Sequence, residues 1–148
     1  MKESWIYDGK EVLSLKDMPQ GVIGFIYRID NLSEPGKYYI GRKTVASQKK
    51  KKLTAKEKLL PENNRKSFKT EYCESSGWKN YYGSNLILKD DVKKGARTRR
   101  TILKYCFSKA EITFSETAEI ICGGALLDPM SYNSWVKCVI YKQHLLKK

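Results

Sequence analysis

The sequence predicts one small α/β domain, and three features of the chain point to this fold class. Two strand-like runs, 22–29 and 37–42, flank a loop of turn residues, which is typical of an antiparallel hairpin. A third strand is predicted at 101–107, and Ser108 with Glu111 forms a capping box that begins a long helix. A chain of 148 residues is long enough for one domain with its own core.

The charge balance indicates the partner. The net charge of +13 and the pI near 9.6 are typical of a small domain that binds a polyanion, with nucleic acid as the first choice. The alternative is a basic protein whose charge serves only solubility. A hydrophobic content of 41% agrees with a folded core under either interpretation.

The cysteines and the histidine restrict the chemistry. Cys73, Cys106, Cys122 and Cys138 show no CxxC spacing, and His144 is the single histidine, which argues against a structural zinc site. Scattered cysteines predict reduced thiols in an intracellular setting. No apolar run approaches the roughly 20 residues of a membrane span, so a soluble, cytoplasmic protein without membrane partners is expected. A catalytic site here would have to use tyrosine, lysine, arginine and carboxylates.

Residues 1–20 predict a short N-terminal extension, with a hairpin around Asp8 and Gly9, and 21–148 form the main domain. In the first strand of the main hairpin, residues of both faces are largely apolar, so this strand is predicted to lie centrally, covered on both sides. The hairpin also carries polar groups that packing does not require. These are Tyr27 at the end of the run FIY, Tyr39 and Gly41 in the run YIG, and Arg42 and Lys43 directly after it.

A basic insertion occupies 44–72. It predicts a short helix at 54–60, a turn at 61–64 and little core. Its positive charges suit either a solvated surface or an arm that contacts DNA phosphates and supplies affinity without sequence reading. The residues concerned are Lys49, Lys50, Lys51, Lys52, Arg65 and Lys66.

A second distinctive block covers 77–85, where Ser84 is predicted to cap a helix that Gly95 ends. For Trp78, packing as a hydrophobic plug under the loop and a role in the functional site are equally compatible with the sequence. For Lys79 and Tyr82, a role in the functional site is favoured. The arginines before the third strand, Arg97, Arg99 and Arg100, are predicted to contact DNA together with Lys79.

The long helix after Ser108 has two apolar sides. Phe114, Ala118, Ile121, Cys122 and Ala125 form a stripe at helical spacing and are predicted to be its core face. Glu116 lies roughly opposite, between Ile112 and Ile120, and Glu119 is the rival acid. Periodicity alone does not choose between the two carboxylates. After a break at Asp128 and Pro129, a final apolar segment at 135–146 is predicted as strand or helix.

Taken in order, these motifs resemble the GIY-YIG nuclease family. The matching features are FIY, YIG followed by Arg42 and Lys43, the run WKNYYGS at 78–84, and Glu116 followed by Ile120, Tyr132 and Asn133. Phe25 stands where the family usually has glycine. The run at 78–84 is similar to a W-x-x-YYGS element of phage-encoded members. The resemblance implies a GIY-YIG-type domain with a three-stranded antiparallel sheet flanked by helices, and it selects Glu116 over Glu119.

The resemblance also implies an activity, that of a DNA endonuclease of phage or mobile-element type, similar to homing endonucleases. It would act in the host cytoplasm as a monomer or homodimer, nicking DNA or cutting both strands. Mg²⁺, or Mn²⁺ in its place, would be held by Glu116. Tyr27 would be the general base or its relay, and Tyr39 would orient the water or donate to a phosphate oxygen. Phosphate ligands would come from Arg42, Lys43, Lys79 and Arg100, with a contribution from Tyr82 and structural support from Gly41 and Asn133.

A phenol has a pKa near 10, so a tyrosine base needs nearby positive charge. Arg42 and Lys43 are expected to provide it. Two alternatives stay open. One is a basic nucleic-acid-binding protein that uses the same fold without catalysis. The other is a nuclease of a different metal–carboxylate class, for which Asp90 and Asp91 are the only tight acidic pair.

Overall fold

The computed structural model describes residues 3–146, and within them strands and helices form a mixed α/β architecture. The strands are β1 (Trp5–Tyr7), β2 (Lys10–Val12), β3 (Gly24–Asn31), β4 (Lys37–Thr44), β5 (Ala46–Lys52), β6 (Phe68–Glu74) and β7 (Thr98–Cys106). The helices are α1 (Ala55–Lys58), α2 (Leu86–Lys93), α3 (Lys109–Cys122) and α4 (Lys142–Leu145). Short 3-10 turns cover Leu15–Asp17 and Pro61–Asn63.

The main sheet has five strands in the order β2-β1-β7-β3-β4, so the predicted count of three is wrong. The two additional strands come from the N-terminal extension. They form the predicted hairpin, with Asp8 and Gly9 at positive φ, and β1 pairs in parallel with β7. Trp5 is buried against Phe25 and Tyr27, so burial of this indole attaches the extension to the sheet.

The central position predicted for the first hairpin strand is confirmed. β3 pairs antiparallel with β4 on one side and with β7 on the other, and it is covered on both faces. Phe25 and Tyr27 belong to a core cluster with Trp78 and the α2 side chain Leu88. Ile26 belongs to a second cluster, under α3. The sheet therefore separates two apolar layers, and β4 is its edge strand.

The insertion at 44–72 folds as a separate two-stranded sheet in which β5 pairs antiparallel with β6. The lysine run is therefore part of a strand. The predicted short helix follows it, and Thr54 caps this helix by accepting a hydrogen bond from the Glu57 backbone N–H. This β5–β6 ribbon begins two residues after β4 ends. Its base is attached to the domain by the Tyr72 hydroxyl, which donates to the Val22 carbonyl, and by the buried residues Val45 and Ala46.

Helix α3 presents to the core the face opposite to the predicted one. Ile112, Ser115 and Ile120 are buried, whereas Phe114 and Ile121 are 50% and 56% exposed. Of the predicted stripe, Ala125, which follows the helix, is buried as expected. The reason is the packing beneath the helix, because Ile112 and Ile120 share a core cluster with strand residues. This docking turns Glu116 toward β4 as well. A helix with apolar residues on both sides does not reveal which side packs.

Smaller differences concern element ends. The third predicted strand begins earlier, at Thr98, so Arg99 and Arg100 lie within β7. The cap of α2 is Asn85, whose Oδ1 accepts from the Leu88 N–H, and not Ser84. The segment predicted at 135–146 contains only the short helix α4. Among residues 3–146, no helix combines the length and the apolar character needed to cross a membrane.

Candidate active site

A cleft of about 760 Å³ lies at the free edge of β4 and collects side chains from both faces of the sheet. Tyr27 and Tyr39 line it from one face, together with the segment that precedes α2. Arg42 and Glu116 line it from the other face, where α3 packs. The edge of a sheet is the one place where side chains from opposite faces can meet without crossing a strand. The structure thus brings together four of the predicted catalytic residues.

Two glycines determine the position of the Tyr27 ring. A Cβ atom built on Gly41 would overlap the Tyr27 hydroxyl oxygen and lie 2.6 Å from Cζ. A Cβ on Gly83 would lie 3.1 Å from the same hydroxyl oxygen and 2.9 Å from Cε1 of Tyr39. Gly83 also has φ +85°, where a side chain is disfavoured. The absence of a side chain at Gly41 leaves room for the Tyr27 ring.

The Tyr39 hydroxyl is oriented by the block before α2. It lies 3.2 Å from Oγ of Ser84, within hydrogen-bond distance. The rings of Tyr27 and Tyr39 have centroids 6.2 Å apart, and Tyr81 packs edge-on against Tyr27 at 6.1 Å. Three phenols thus lie side by side at the cleft.

Glu116 and Arg42 form an ion pair on the α3 side of the cleft. The distance from Arg42 Nε to Glu116 Oε2 is 3.2 Å, and Arg42 Nη1 donates to Thr113 Oγ1 at 2.6 Å. The Glu116 side chain is 20% exposed. This partial burial raises the pKa of the Glu116 carboxyl above its usual value, and the positive charge of Arg42 opposes the rise.

The expectation that Arg42 and Lys43 lower a tyrosine pKa is wrong for this structure. Burial raises the pKa of Tyr27, and the groups Tyr39, Tyr81 and Glu116 raise it further. Burial also raises the pKa of Tyr39. Arg42 is paired with Glu116, and the Lys43 ammonium lies 4.3 Å from the centroid of the Tyr81 ring. Both site tyrosines are therefore protonated at neutral pH and act as hydrogen-bonding hydroxyls.

Asn133 lies beside the free edge of β4. Its Nδ2 donates to the Ile40 carbonyl at 2.8 Å, and its Oδ1 accepts from the Ile40 N–H at 2.9 Å. The side-chain amide thus pairs with the backbone as a neighbouring strand would. This geometry agrees with the supporting role predicted for Asn133.

Besides Lys43, which packs over Tyr81, three residues predicted for the site do not line the cleft, namely Tyr82, Lys79 and Arg100. The Tyr82 ring packs over the guanidinium of Arg100, 4.5 Å from Cζ to the ring centroid, and does not line the cleft. Tyr81, its neighbour, lines the cleft instead. Lys79 is exposed beside Trp78, with Nζ 5.7 Å from the indole, outside the cleft. Adjacent tyrosines in a loop carry no sequence signal that says which one faces inward.

The predicted phosphate contact by Arg100 conflicts with its burial, because the residue is only 1% exposed. Its Nη1 donates to the carbonyls of Lys79 and Tyr81 at 2.9 and 3.0 Å, and Nη2 donates to the carbonyl of Glu3. The guanidinium also stacks on Trp5. Burial lowers the pKa of Arg100 from its ordinary value. Arg100 holds the 79–82 segment against the sheet, and by doing so it positions the wall of the cleft.

The other basic residues predicted to contact DNA are exposed. Arg97 and Arg99 lie at the surface near the start of β7, where Arg99 Nη2 is 3.5 Å from Asp30. On the β5–β6 ribbon, Lys51 pairs with Glu71, whereas no ion pair involves the remaining predicted cations within residues 3–146. These are Lys49, Lys50, Lys52, Arg65 and Lys66.

The cleft contains few side chains that could bind a metal ion. Within residues 3–146, no group of three or more His, Cys, Asp or Glu side chains could hold a metal ion. Asp91, of the alternative acidic pair, accepts a hydrogen bond from the Tyr132 hydroxyl. Among the residues that the structure describes, Glu116 is the one carboxylate that lines the cleft. Mg²⁺ commonly binds one or two carboxylates and completes its shell with water and phosphate oxygens, so Glu116 fits this ion.

Sequence reasoning missed three contributors to this site, namely Thr113, Tyr81 and Gly83. It also assigned Ser84 to a helix cap. Thr113 lies one turn before Glu116 on α3, so the choice of Glu116 could have indicated it. The density of glycine and tyrosine at 77–85 did indicate the block, but the contacts with Tyr27 and Tyr39 follow only from the fold.

A protein-family model described as "Putative endonuclease segE, GIY-YIG domain" matches residues 5–136. The match covers most of the chain and includes all seven strands, α3 and the cleft residues Tyr27, Tyr39, Arg42 and Glu116. Searches among curated proteins and among solved structures found no match.

Proposed function

The chain belongs to the GIY-YIG endonuclease family, and we propose that it is a metal-dependent endonuclease that hydrolyses phosphodiester bonds of DNA. The observation that carries the proposal is the shared cleft of Tyr27, Tyr39, Arg42 and Glu116. Binding alone would not need a half-buried carboxylate, nor two glycines that leave room for a phenol.

The reaction requires that a water oxygen bond to phosphorus while the bond from phosphorus to one sugar oxygen breaks. The water gives up a proton and the leaving oxygen gains one, so the products are a phosphate monoester and a hydroxyl. The Tyr27 and Tyr39 hydroxyls, both protonated, can hold the water by hydrogen bonds. Because a hydroxyl accepts and donates at once, Tyr27 can relay the proton without forming a phenolate.

Arg42 supplies the positive charge for the phosphate. Its side chain is 45% exposed, so the guanidinium is accessible to a phosphate oxygen in the cleft. A guanidinium donates two parallel hydrogen bonds to a phosphate and stabilises negative charge that develops in the transition state. Lys43, stacked on Tyr81, adds positive charge beside the tyrosines.

Glu116 would hold Mg²⁺, or Mn²⁺ in its place, as the single protein carboxylate. A bound cation of this kind neutralises phosphate charge and lowers the pKa of its water. For this role the Glu116 carboxyl must be ionised, and Arg42 favours that state by opposing the effect of burial.

The choice of DNA as substrate follows from the charge of the chain. The net charge of +13 and the exposed lysines of the ribbon provide the cations that neutralise a phosphate backbone. A further part of the proposal is a phage or mobile-element origin, supported by the likeness of 78–84 to W-x-x-YYGS. Another is nicking of one strand per visit, supported by the gathering of Tyr27, Tyr39, Arg42 and Glu116 in a single cleft.

The test is cleavage of a supercoiled plasmid with and without Mg²⁺ by the wild type, Glu116→Gln and Glu119→Gln. The third protein is a matched control, because Glu119 lies on the same helix but does not line the cleft. We expect cation-dependent nicked or linear product from the wild type and from Glu119→Gln. In Glu116→Gln the rate should fall by about 100-fold or more.

Cleavage that persists in Glu116→Gln would show that the cleft is not the active site. If the wild type does not cleave with Mg²⁺ or Mn²⁺ and only retards plasmid migration at low salt, the proposal would be replaced by DNA binding on the same fold.

A further inference from the structure

The two faces of the β5–β6 ribbon differ in their chemistry. Paired residues of an antiparallel ladder share a face, so the register divides the ribbon unambiguously. One face, the paired face, carries Ser47, Lys49, Lys51, Lys69, Glu71 and Cys73. The other, the open face, carries Gln48, Lys50, Lys52, Phe68 and Thr70, with Ala46, Tyr72 and Glu74 at its base.

The paired face is largely neutralised and partly covered. Lys51 forms an ion pair with Glu71, and Lys69 forms one with Glu57 of α1. Lys69, Glu71 and Cys73 are each half-buried. Helix α1 is therefore joined to this side of the ribbon. The carboxylates of Glu71 and Glu57 are both paired with lysines of this face.

The open face has a different composition. Gln48, Lys50, Lys52, Phe68 and Thr70 are all exposed. The carboxylate on this face of the ribbon is that of Glu74 at the base, where it accepts a hydrogen bond from Trp78 Nε1 at 2.9 Å. No ion pair involves Lys50 or Lys52 within residues 3–146, and the Phe68 side chain is 52% exposed. This face therefore combines an apolar ring, unpaired positive charges, and amide and hydroxyl groups that can donate and accept hydrogen bonds.

We infer that the open face of the ribbon enters the major groove of the DNA substrate and reads base sequence there. The inference rests on the proposed DNA substrate and adds the element that selects the site. A two-stranded β-ribbon fits the major groove, which is about 12 Å wide. Positive charge on this face complements the groove walls of phosphate.

Each open-face group matches a groove feature. A lysine donates to the O6 and N7 atoms of guanine, glutamine recognises adenine, threonine bonds to several base edges, and phenylalanine contacts the thymine methyl. The ribbon begins at Ala46, directly after β4, which carries Tyr39 and Arg42. A single buried residue, Val45, thus connects the ribbon to the strand that lines the cleft.

The experiment is selection from a random duplex library by the full-length protein without divalent cations, so that binding is measured without cleavage. Two variants change the open face: Lys50→Gln and the uncharged change Thr70→Ala. Lys49→Gln is the matched control, because it removes the same charge at the adjacent position on the paired face. Thermal melting checks that each ribbon variant is folded.

We expect the wild type to enrich a short consensus. Lys50→Gln and Thr70→Ala should each weaken the preference at one position by about tenfold. Lys49→Gln should keep the consensus and lower only overall affinity and its salt dependence. If Lys50→Gln does not fold, the effect of Thr70→Ala on base preference tests the inference alone.

Three results would overturn the inference: a wild type that enriches no consensus, equal effects of Lys49→Gln and Lys50→Gln on base preference, or heparin displacing selected DNA as readily as random DNA. Selection without cleavage in Mg²⁺ would refute the proposed activity alone. Cleavage without any preference would refute only the groove-reading role.

Discussion

The guanidinium of Arg42 and the carboxylate of Glu116 form an ion pair on the α3 side of the sheet, with Nε 3.2 Å from Oε2. Each partner comes from a different element, β4 and α3, and each is a proposed participant in phosphodiester cleavage. Arg42 therefore has two effects: it offers charge to a phosphate, and it opposes the rise in the Glu116 pKa that burial causes.

Arg42→Gln should reduce cleavage by about 100-fold, because it removes a positively charged donor at the reacting phosphate. It should also raise the pKa of Glu116 further, since only the burial effect remains. Glu116 must be ionised to hold a cation, so activity of the variant should be lost at a higher pH than activity of the wild type. The measurements are cleavage rate against pH and carbon-13 NMR titration of the carboxyl group.

The matched control for this change is Arg99→Gln, which removes an exposed arginine outside the cleft. It should leave the pH profile in place. An unchanged acidic limb in Arg42→Gln would contradict the coupling between the two residues.

Gly41→Ala should destabilise the fold by about 2 kcal/mol, because the new methyl group overlaps the buried Tyr27 ring. It should also reduce cleavage by displacing the Tyr27 hydroxyl from the cleft. Denaturant unfolding and plasmid cleavage measure the two effects. In a Tyr27→Phe background the cost of Gly41→Ala should shrink, because one of the overlapping atoms is absent. Equal costs in both backgrounds would show that Tyr27 is not the obstructing group.

Arg100→Met should lower the free energy of unfolding by about 3 kcal/mol, because three backbone carbonyls lose the charged donor that the buried guanidinium provides. Arg99→Met, at an exposed position of the same strand, should change it by less than about 0.5 kcal/mol. If the variant is folded, the salt dependence of DNA binding should match the wild type, since a buried guanidinium releases no counterions. A slope reduced by about one would restore the phosphate-contact interpretation.

Glu57 gives the ribbon a pH-dependent contact. Its hydrogen bond from Lys69 lowers the pKa of this carboxyl to about 2. A lowered pKa in the folded state means that the contact stabilises above the ordinary pKa and is lost as the pH falls toward about 2. Hydrogen-exchange protection of the ribbon should therefore be higher in the wild type than in Glu57→Gln at neutral pH, with the difference vanishing in acid. Lys69→Gln should behave like Glu57→Gln, and a difference independent of pH would contradict this origin.

The parts of the fold that sequence could predict are those with strong local signals. The hairpin of β3 and β4, the turn at Asp8 and Gly9, and the cap at Ser108 each follow from residues a few positions apart. The central location of β3 followed from apolar residues on both faces. The family resemblance then selected Glu116, which periodicity could not.

The missed parts depend on long-range packing. Arg100 resembles any other arginine in a basic stretch until the fold places three carbonyls and two aromatic rings around it. The packed face of α3 is ambiguous because Phe114 and Ile112 are equally apolar, and the sheet beneath decides between them. The parallel pairing of β1 with β7 joins residues far apart in the chain, for which local patterns carry no information.

Asn133→Ala should weaken the edge of β4 because it removes both hydrogen bonds to the Ile40 backbone. We expect a loss of about 2 kcal/mol in the free energy of unfolding and faster exchange of the Ile40 amide. Cleavage should fall with it, since Tyr39 and Gly41 flank Ile40. Asn133→Asp is the informative partner, because a carboxylate can accept from the Ile40 N–H but cannot donate to its carbonyl. In this variant the Ile40 amide should stay protected from exchange, while the free energy of unfolding falls by less than in Asn133→Ala. Equal exchange rates in both variants would show that the side-chain amide does not pair with the strand.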